Sequence, residues 1–255
     1  MTASIDIVVP VLNEECGLVS SINKLHAFAT SHLSQFKWSI LIADNGSTDS
    51  TRQLCVDLSI NLSNVGYIYL KQRGRGRALK KAWLESEADI MCYMDVDLST
   101  DLAALPQLVS VLETGEYDLC IGSRLDTKSN VIGRKLKREL ISRIYNLMIR
   151  ISFFTRFHDA QCGFKAISNT AAGELIPFVK DNAWFFDTEL LIIAEKNGYR
   201  IKELPVVWRD DPDSRVNILK TALEDIKGLA RLRFGGLRKA SNSILIQKEQ
   251  SHTNP

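Results

Sequence analysis

Short apolar segments alternate with helix-patterned segments from the first residues onward, and that alternation rules out most folds at once. Residues 5–9 read as a strand, and 15–32 as a helix with Leu18, Ile22, Leu25 and Ala29 at helical spacing. A second strand over 38–43 and a third over 65–70 follow, then a Gly-rich turn at Gly74 and Gly76, a helix to about Glu87 and a strand over 90–95. Strands separated by helices cannot pair as tight hairpins. The expected fold class is therefore α/β, a mainly parallel sheet flanked by helices. At 255 residues the chain suits a single domain, expected over 1–240, followed by a polar segment, 241–255, that reads as a mobile tail. Beyond 118–121 the pattern loosens, with a long helix near 134–155, strands around 164–167 and 201–208, and a last helix near 216–234.

In open α/β sheets, ligands bind beyond the carboxyl ends of the strands. Three polar clusters fall there, after three separate strands: Asn13-Glu14, the run from Asp44 to Asp49, and Asp95-Val96-Asp97. Side chains alternate faces along a strand, so Asp95 and Asp97 are expected to point the same way from a buried scaffold. Two fixed carboxylates attract a cation, and Mg²⁺ or Mn²⁺ shares few carboxylates with the phosphates of a nucleotide. A turn with two solvated acids is the rival reading. NAD is not expected, because the turn after the first strand reads PVLNEE rather than a glycine motif.

The net charge of +2 conceals an uneven distribution. Residues 134–156 carry +6 and residues 215–240 carry +5, leaving about −9 for the rest. A basic face on an acidic body points to an anionic surface or substrate, with solvated helix faces as the alternative. Nucleic acid is not expected, since the basic surface is segmental and RNA-stacking motifs are absent. Five scattered cysteines without metal-like spacing read as reduced core residues in a cytosolic setting. No basic leader followed by a long apolar run is visible, and no span reaches the ~20 apolar residues a bilayer crossing needs. The expected location is cytoplasmic, peripheral on the cytoplasmic face of a membrane.

The runs VVPVLNEE, ADNGSTDST, GRGRA, MDVDLS, GSR, RELISRIYN, DAQCGFK, FFDTELL and ELPVVWRDDPDSRV extend from residue 5 to about 216. In that order they resemble the family 2 glycosyltransferases of the GT-A fold, and within them the dolichyl-phosphate or polyprenyl-phosphate sugar synthases. The resemblance implies a nucleoside pocket at Pro10, Glu14 and Asp44, with Asp44 accepting from a base N–H. A strand terminator at Pro10 and a helix cap at Asp44 are the structural alternatives. It also implies that Gly74-Arg75-Gly76 lets the backbone approach the diphosphate with Arg75 or Arg77 nearby, and that Asp95 faces ribose or metal while Asp97 holds metal. Ser99 stands where some relatives have Gln, which leaves that coordination position to water. Arg215, after Asp210-Asp211-Pro212-Asp213-Ser214, is expected to reach the diphosphate from a closing loop.

For the acceptor, the resemblance points to Arg124, Arg138 and Ser142; Arg138 and Ser142 are i,i+4, so one helix face can present both to one phosphate. Asp159, Gln161 and Lys165 are implied as sugar or phosphate contacts near the transfer point. Asp187 with Glu189 occupies the late acidic motif, Asp187 serving as a base only for a hydroxyl acceptor. Arg143 is expected to pair with Glu139 at the surface, Cys162 and His158 to be structural, and Trp184 and Trp208 to be core residues. Leu136, Leu140, Ile144, Leu147 and Ile151, extended by Phe153 and Phe154, form a helical stripe read first as core and second as membrane contact. Leu219, Leu223, Ile226 and Leu229 or Ala230 form another in the second basic segment.

The implied function is inverting transfer of a hexose from a nucleotide sugar, UDP-glucose favoured over GDP-mannose, to a polyprenyl or dolichyl phosphate. The alternative is a soluble family 2 enzyme acting on a hydroxyl. A sugar nucleotidyltransferase would open with a Gly-rich strand turn, absent here, and a non-catalytic binding module does not need both donor and acceptor motifs. An anionic membrane surface and, because many relatives carry transmembrane helices, a membrane-protein partner complete the expected contacts.

Overall fold

A computed structural model describes residues 2–210 and 218–253, with side chains of 218–220 and 251–253 undescribed. Arg215 and the acids before it from Asp211 lie outside the described residues. Four βα steps open the fold: β1 (Ser4–Val11), α1 (Leu18–His32), β2 (Lys37–Asp44), α2 (Thr51–Asn61), β3 (Val65–Tyr69), α3 (Arg75–Leu84) and β4 (Ile90–Met94) with α4 (Leu105–Glu113) behind it. These are followed by β5 (Leu119–Ser123), β6 (Asn130–Ile132), α5 (Leu136–Phe153), β7 (Phe164–Ser168), α6 (Asn169–Leu175), α7 (Phe186–Lys196), β8 (Ile201–Pro205) and β9 (Val207–Arg209). Two helices, α8 (Ile218–Arg231) and α9 (Leu237–Thr253), close the described chain.

Seven strands form one sheet in the order β3-β2-β1-β4-β7-β5-β8, with β6 and β9 paired beside it. All neighbours in the large sheet are parallel except β7, which runs antiparallel to both β4 and β5. That reversal positions the site. Met94, the last residue of β4, stands opposite Phe164, the first of β7, so the segment leading into β7 arrives at the carboxyl edge where β4 ends. The next residues continue the contact, the Asp95 N–H donating to the Gly163 carbonyl at 3.2 Å. The strands β1, β4 and β5 are buried almost throughout, with apolar side chains packed against helices on both faces.

Several sequence expectations change here. β4 stops at Met94, and Asp95-Val96-Asp97-Leu98 is a turn closed by the Leu98 N–H on the Asp95 carbonyl, with Leu98 at φ 51°. The two carboxylates are therefore set by turn geometry and not by strand alternation. The expected tail from 241 is instead helical to Thr253, because Ala240 and Ile244 (1% exposed) fill a groove against α6 and α7. Burying one such isoleucine contributes about 1.5–3 kcal/mol, enough to hold a helix that its polar composition alone would not. The last predicted helix ends earlier than expected. Phe234 and Gly235 leave helical geometry, Gly235 at φ 114°, and separate α8 from α9.

The stripe on α5 also faces the other way. Ser142, Tyr145, Asn146, Ile149 and Phe153 turn inward, whereas Leu136 (85% exposed), Leu140, Ile144, Leu147, Ile151 and Phe154 (81% exposed) face solvent. The core reading of that stripe is overturned for all of it except Phe153. On α8, Leu223 and Ile226 are exposed while Leu229 is buried, and Phe234 just beyond is exposed as well. Among the described residues no helix is long and apolar enough to cross a membrane.

Candidate active site

The ends of β1, β2 and β4 converge through a small set of side chains. Asp44 closes β2 and is fully buried; its Oδ1 accepts from the Gly46 and Ser47 N–H groups at 3.1 and 2.8 Å. Its Oδ2 has no hydrogen-bond partner. An orphaned buried oxygen of this kind costs about 1–3 kcal/mol unless a ligand donor reaches it, which a base N–H would do. Asn45, which sequence reasoning passed over, ties three segments together: its amide donates to the Val11 carbonyl at 2.8 Å and accepts from the Gly74 N–H at 3.2 Å. Asn13, at φ 56°, accepts from the Thr48 N–H, and the Glu14 N–H donates to Thr51 Oγ1 at 2.7 Å. Pro10 is buried in β1 opposite Ala43, past the point where the ladder to β4 ends at Val8.

At the β4 end, charges are interlocked. Arg75 donates to Asp95 Oδ1 through Nη2 at 2.7 Å and Nε at 3.3 Å, and to Asp187 Oδ2 through Nη1 at 2.7 Å. Asp187 Oδ1 in turn accepts from the Tyr93 hydroxyl and pairs with Lys165 Nζ at 3.0 Å. Burial opposes the charge on Asp187, but Lys165 and Arg75 hold its carboxyl below the ordinary carboxylate range. A carboxylate so stabilised is a poor general base. Burial likewise opposes the Arg75 charge, and Asp95 outweighs it, with Tyr93 and Asp187 adding to the upward shift. Tyr93 was missed in the sequence, though it stands two residues before Asp95 at the end of the same strand.

Two expectations for this region are corrected. Lys165 is sealed beneath the site, its Nζ spent on Tyr93, Asp187 and the Cys162 carbonyl, so it braces Asp187 and does not line the donor surface. Gly76 is also covered: a Cβ there would meet Phe186 Cβ at 2.5 Å, and its N–H donates to the Ala183 carbonyl. The Arg77 N–H is taken by Asn182 in the same way. The glycines of GRGRA thus let the start of α3 pack under the segment leading to α7, and they do not open the backbone to a phosphate.

Among the described residues no three His, Cys, Asp or Glu side chains cluster as a ready metal site. Asp95 and Asp97 nevertheless fit a hard divalent cation that takes its remaining ligands from donor phosphates. Asp95 already draws a guanidinium onto Oδ1, and its Oδ2 occupies a cradle that only glycine leaves open, since a Cβ on Gly163 would lie 1.7 Å from it. Asp97 is exposed, with Oδ1 accepting from the Ser99 N–H at 2.9 Å.

The opposite pole is cationic. Arg124 grips the fully buried Asp159 through Nε and Nη2, both at 2.8 Å, and through its own N–H at 2.9 Å. Burial works against the Asp159 charge, but this grip brings its carboxyl down to about 2. The Arg124 guanidinium lies 4.9 Å from the centroid of the Trp208 ring, whose Nε1 donates to Asp210, and Arg138 pairs with the other Asp210 oxygen at 3.0 Å. Burial and the nearby Arg124 charge lower the pKa of Arg134, a residue the sequence reading omitted. Ser142, one turn along α5 from Arg138, is buried with an unpartnered Oγ. Arg124 and Arg138 are each held by an acid here, and the buried Ser142 hydroxyl is left without a hydrogen-bond partner.

Other residues resolve into support. Glu189 clamps α8 to α7 through Arg231 at 2.6 and 2.8 Å. Arg143 pairs with Glu139, and His158 with Glu203, on the surface. The Cys162 thiol is pushed up to about 12 by burial, which suits packing and not nucleophilic chemistry. Trp208 is core as expected, but Trp184 is 41% exposed and lies over Arg75. Gln161 donates to Asp225, a buried acid on α8 that the sequence reading did not single out.

The chain is 33% identical over 220 residues to the glycosyltransferase AglD of Haloferax volcanii, covering 86% of this chain but 35% of that protein. It is 27% identical over 252 residues to the dolichyl-phosphate beta-glucosyltransferase of Saccharomyces cerevisiae, covering 91% of this chain and 75% of the relative. Among solved structures, glucosyl-3-phosphoglycerate synthase of Mycobacterium tuberculosis in complex with Mn²⁺ and UDP-glucose superposes with a TM-score of 0.66 at 19% identity, covering 91% and 79% of the two chains. That neighbour shares the GT-A fold. The profile of glycosyl transferase family 2 matches residues 6–176, the stretch that carries β1 to β7 and with them both carboxylates, Arg75 and the arginine pole, and the chain belongs to that family.

Proposed function

We propose that this chain transfers a hexose, glucose foremost, from a nucleotide sugar to a polyprenyl or dolichyl phosphate in one inverting displacement at the anomeric carbon. UDP-glucose is the favoured donor, in keeping with the relatives named dolichyl-phosphate beta-glucosyltransferase, and GDP-mannose is the rival. The observation that carries the reading is the pairing of an anion site at Arg124, Arg134, Arg138 and Ser142 with an acidic site in which Asp187, the buried carboxylate beside Asp95 on Arg75, is neutralised by two cations. A hydroxyl acceptor needs a base. A phosphate monoester, with a second pKa of about 6, is already a nucleophile at neutral pH.

In this reading Asp44 Oδ2 takes a base N–H and Asp95 and Asp97 hold Mg²⁺ or Mn²⁺. When bound, that ion neutralises charge on the departing nucleoside diphosphate. Arg138 and Ser142 hold the acceptor phosphate, and catalysis is chiefly orientation. The exposed apolar stripe of α5, interleaved with Lys137, Arg143 and Arg150, supports peripheral attachment to an anionic membrane from the cytoplasmic side, where the lipid acceptor presents its phosphate. Arg215 is proposed to close over the diphosphate.

The test is a donor screen with a short polyprenyl phosphate, reading nucleotide release and glycolipid product together. Glycolipid formed from UDP-glucose is expected. Efficient glycosylation of a soluble hydroxyl acceptor, with the lipid phosphate inert, would replace this function by the soluble-enzyme alternative.

A further inference from the structure

Arg75 is held at its position by Asp95, Asp187 and two aromatic rings. Its guanidinium carbon lies 4.7 Å from the Tyr93 centroid and 5.2 Å from that of Trp184. The two carboxylates depend on it unequally. Asp187 keeps Lys165 and the Tyr93 hydroxyl if Arg75 leaves, whereas among the described residues Arg75 is the one cation paired with Asp95. The backbone beneath is pinned, because the next two N–H groups donate to Ala183 and Asn182. Any movement of Arg75 is thus a side-chain rotation about the Asp187 contact.

A divalent ion on Asp95 needs the same carboxylate that Arg75 occupies. Like charges repel more strongly the closer they lie, and a doubly charged ion repels a guanidinium twice as strongly as a singly charged one. Guanidinium and metal therefore compete for Asp95. Resting on the donor and metal reading above, we infer that Arg75 is a resident counter-cation of Asp95, displaced by the incoming divalent ion and transferred to the diphosphate of the donor. Charge balance supports the exchange. The ion adds two positive charges and the diphosphate of a nucleotide sugar two negative ones, so the net charge of the site is unchanged when both bind and Arg75 moves from Asp95 to the phosphates.

This exchange couples two ligands. Metal alone must evict Arg75 and binds weakly; with a nucleoside diphosphate present the evicted guanidinium gains a partner, so each ligand raises affinity for the other by the same factor. Mn²⁺ binding, followed by the paramagnetic resonance of the free ion, tests this with and without UDP. Arg75→Gln should bind Mn²⁺ alone roughly tenfold more tightly than the native chain, and the enhancement by UDP should shrink by a similar factor. Asp97→Asn should abolish Mn²⁺ binding in both backgrounds. Unchanged or weaker Mn²⁺ affinity in folded Arg75→Gln, with Asp97→Asn still abolishing binding, overturns the exchange while leaving the metal site intact. Mn²⁺ binding indifferent to Asp97→Asn overturns the metal reading and the exchange with it. A measurement on the native chain guards against misfolding of the variant: Mg²⁺ with UDP should change an emission component that Trp184→Phe removes, because the cation leaves that ring. Calorimetric Mg²⁺ binding with no such change also overturns the inference.

Discussion

The proposed donor and acceptor poles of the site are built with opposite signs. At the donor pole, Asp95 in its turn is countered by Arg75, and one oxygen of the buried Asp44 has no hydrogen-bond partner. At the acceptor pole, arginines are countered by Asp159 and Asp210, and a buried hydroxyl waits for an acceptor. The difference lies in how firmly each is neutralised. Arg124 and Asp159 form a buried bidentate pair, and breaking one such pair commonly costs 3–5 kcal/mol, so it reads as fixed framework. Arg138 meets Asp210 with a side chain that is 37% exposed, so this pair is the more open of the two. The proposed function has Arg75 meet the donor at one pole and Arg138 the acceptor at the other.

The largest effect that would break this comparison is at the acidic pole. Asp97→Asn should lower turnover by at least about 100-fold with the fold retained, as should chelation of the native enzyme. Circular dichroism alongside a glycolipid assay checks it, and full activity in chelator would remove the donor pole as described. Next, Arg138→Ala and Ser142→Ala should each raise the KM for lipid phosphate by about 10-fold while calorimetric UDP affinity stays constant. A collapse of UDP affinity with unchanged acceptor kinetics would mean the poles are interchanged.

A smaller effect concerns how the acceptor pole meets its substrate. Sedimentation with vesicles should show binding that grows with anionic lipid, weakens with salt, and falls when Leu140→Ser and Ile144→Ser are combined. Each basic residue near such a surface contributes about 1 kcal/mol. Equal recovery with neutral and anionic vesicles would detach the stripe from function. The smallest effect is on stability. Burial pushes the Asp225 carboxyl up to about 7 from its ordinary 3.8. The folded state then holds a proton that the unfolded chain has released, so the contribution of this group to stability is fully present below about 4 and is lost as pH rises through about 7. Asp225→Asn should flatten that slope, matching the native melting temperature at pH 4 and exceeding it at pH 8.

Much of this was legible from residue order. The strand and helix alternation, the three clusters after β1, β2 and β4, and the Arg138 and Ser142 pair on one helix face follow from local periodicity, which survives folding unchanged. The roles of Lys165 and Gly76 were not, because both lie inside motifs whose other members face the site. Whether a residue in such a run points to ligand or to core depends on neighbours far along the chain: Asp187 for Lys165, Phe186 for Gly76. The stripe on α5 shows the same limit from the opposite side. Periodicity identifies an apolar face, but only the packing of Tyr145, Asn146 and Ile149 decides which face is covered.

What the sequence determined by itself is the α/β class, the carboxyl-end location of the acids and the family, since each rests on contacts between near neighbours or on motif order. Only the tertiary structure decided that β7 runs antiparallel between β4 and β5, and this reversal carries Gly163 under Asp95, Lys165 under Asp187 and Asp159 to Arg124. Strand direction within a mixed sheet is set by long-range pairing and by burial on both faces, and those energies belong to the assembled sheet and not to any segment of it.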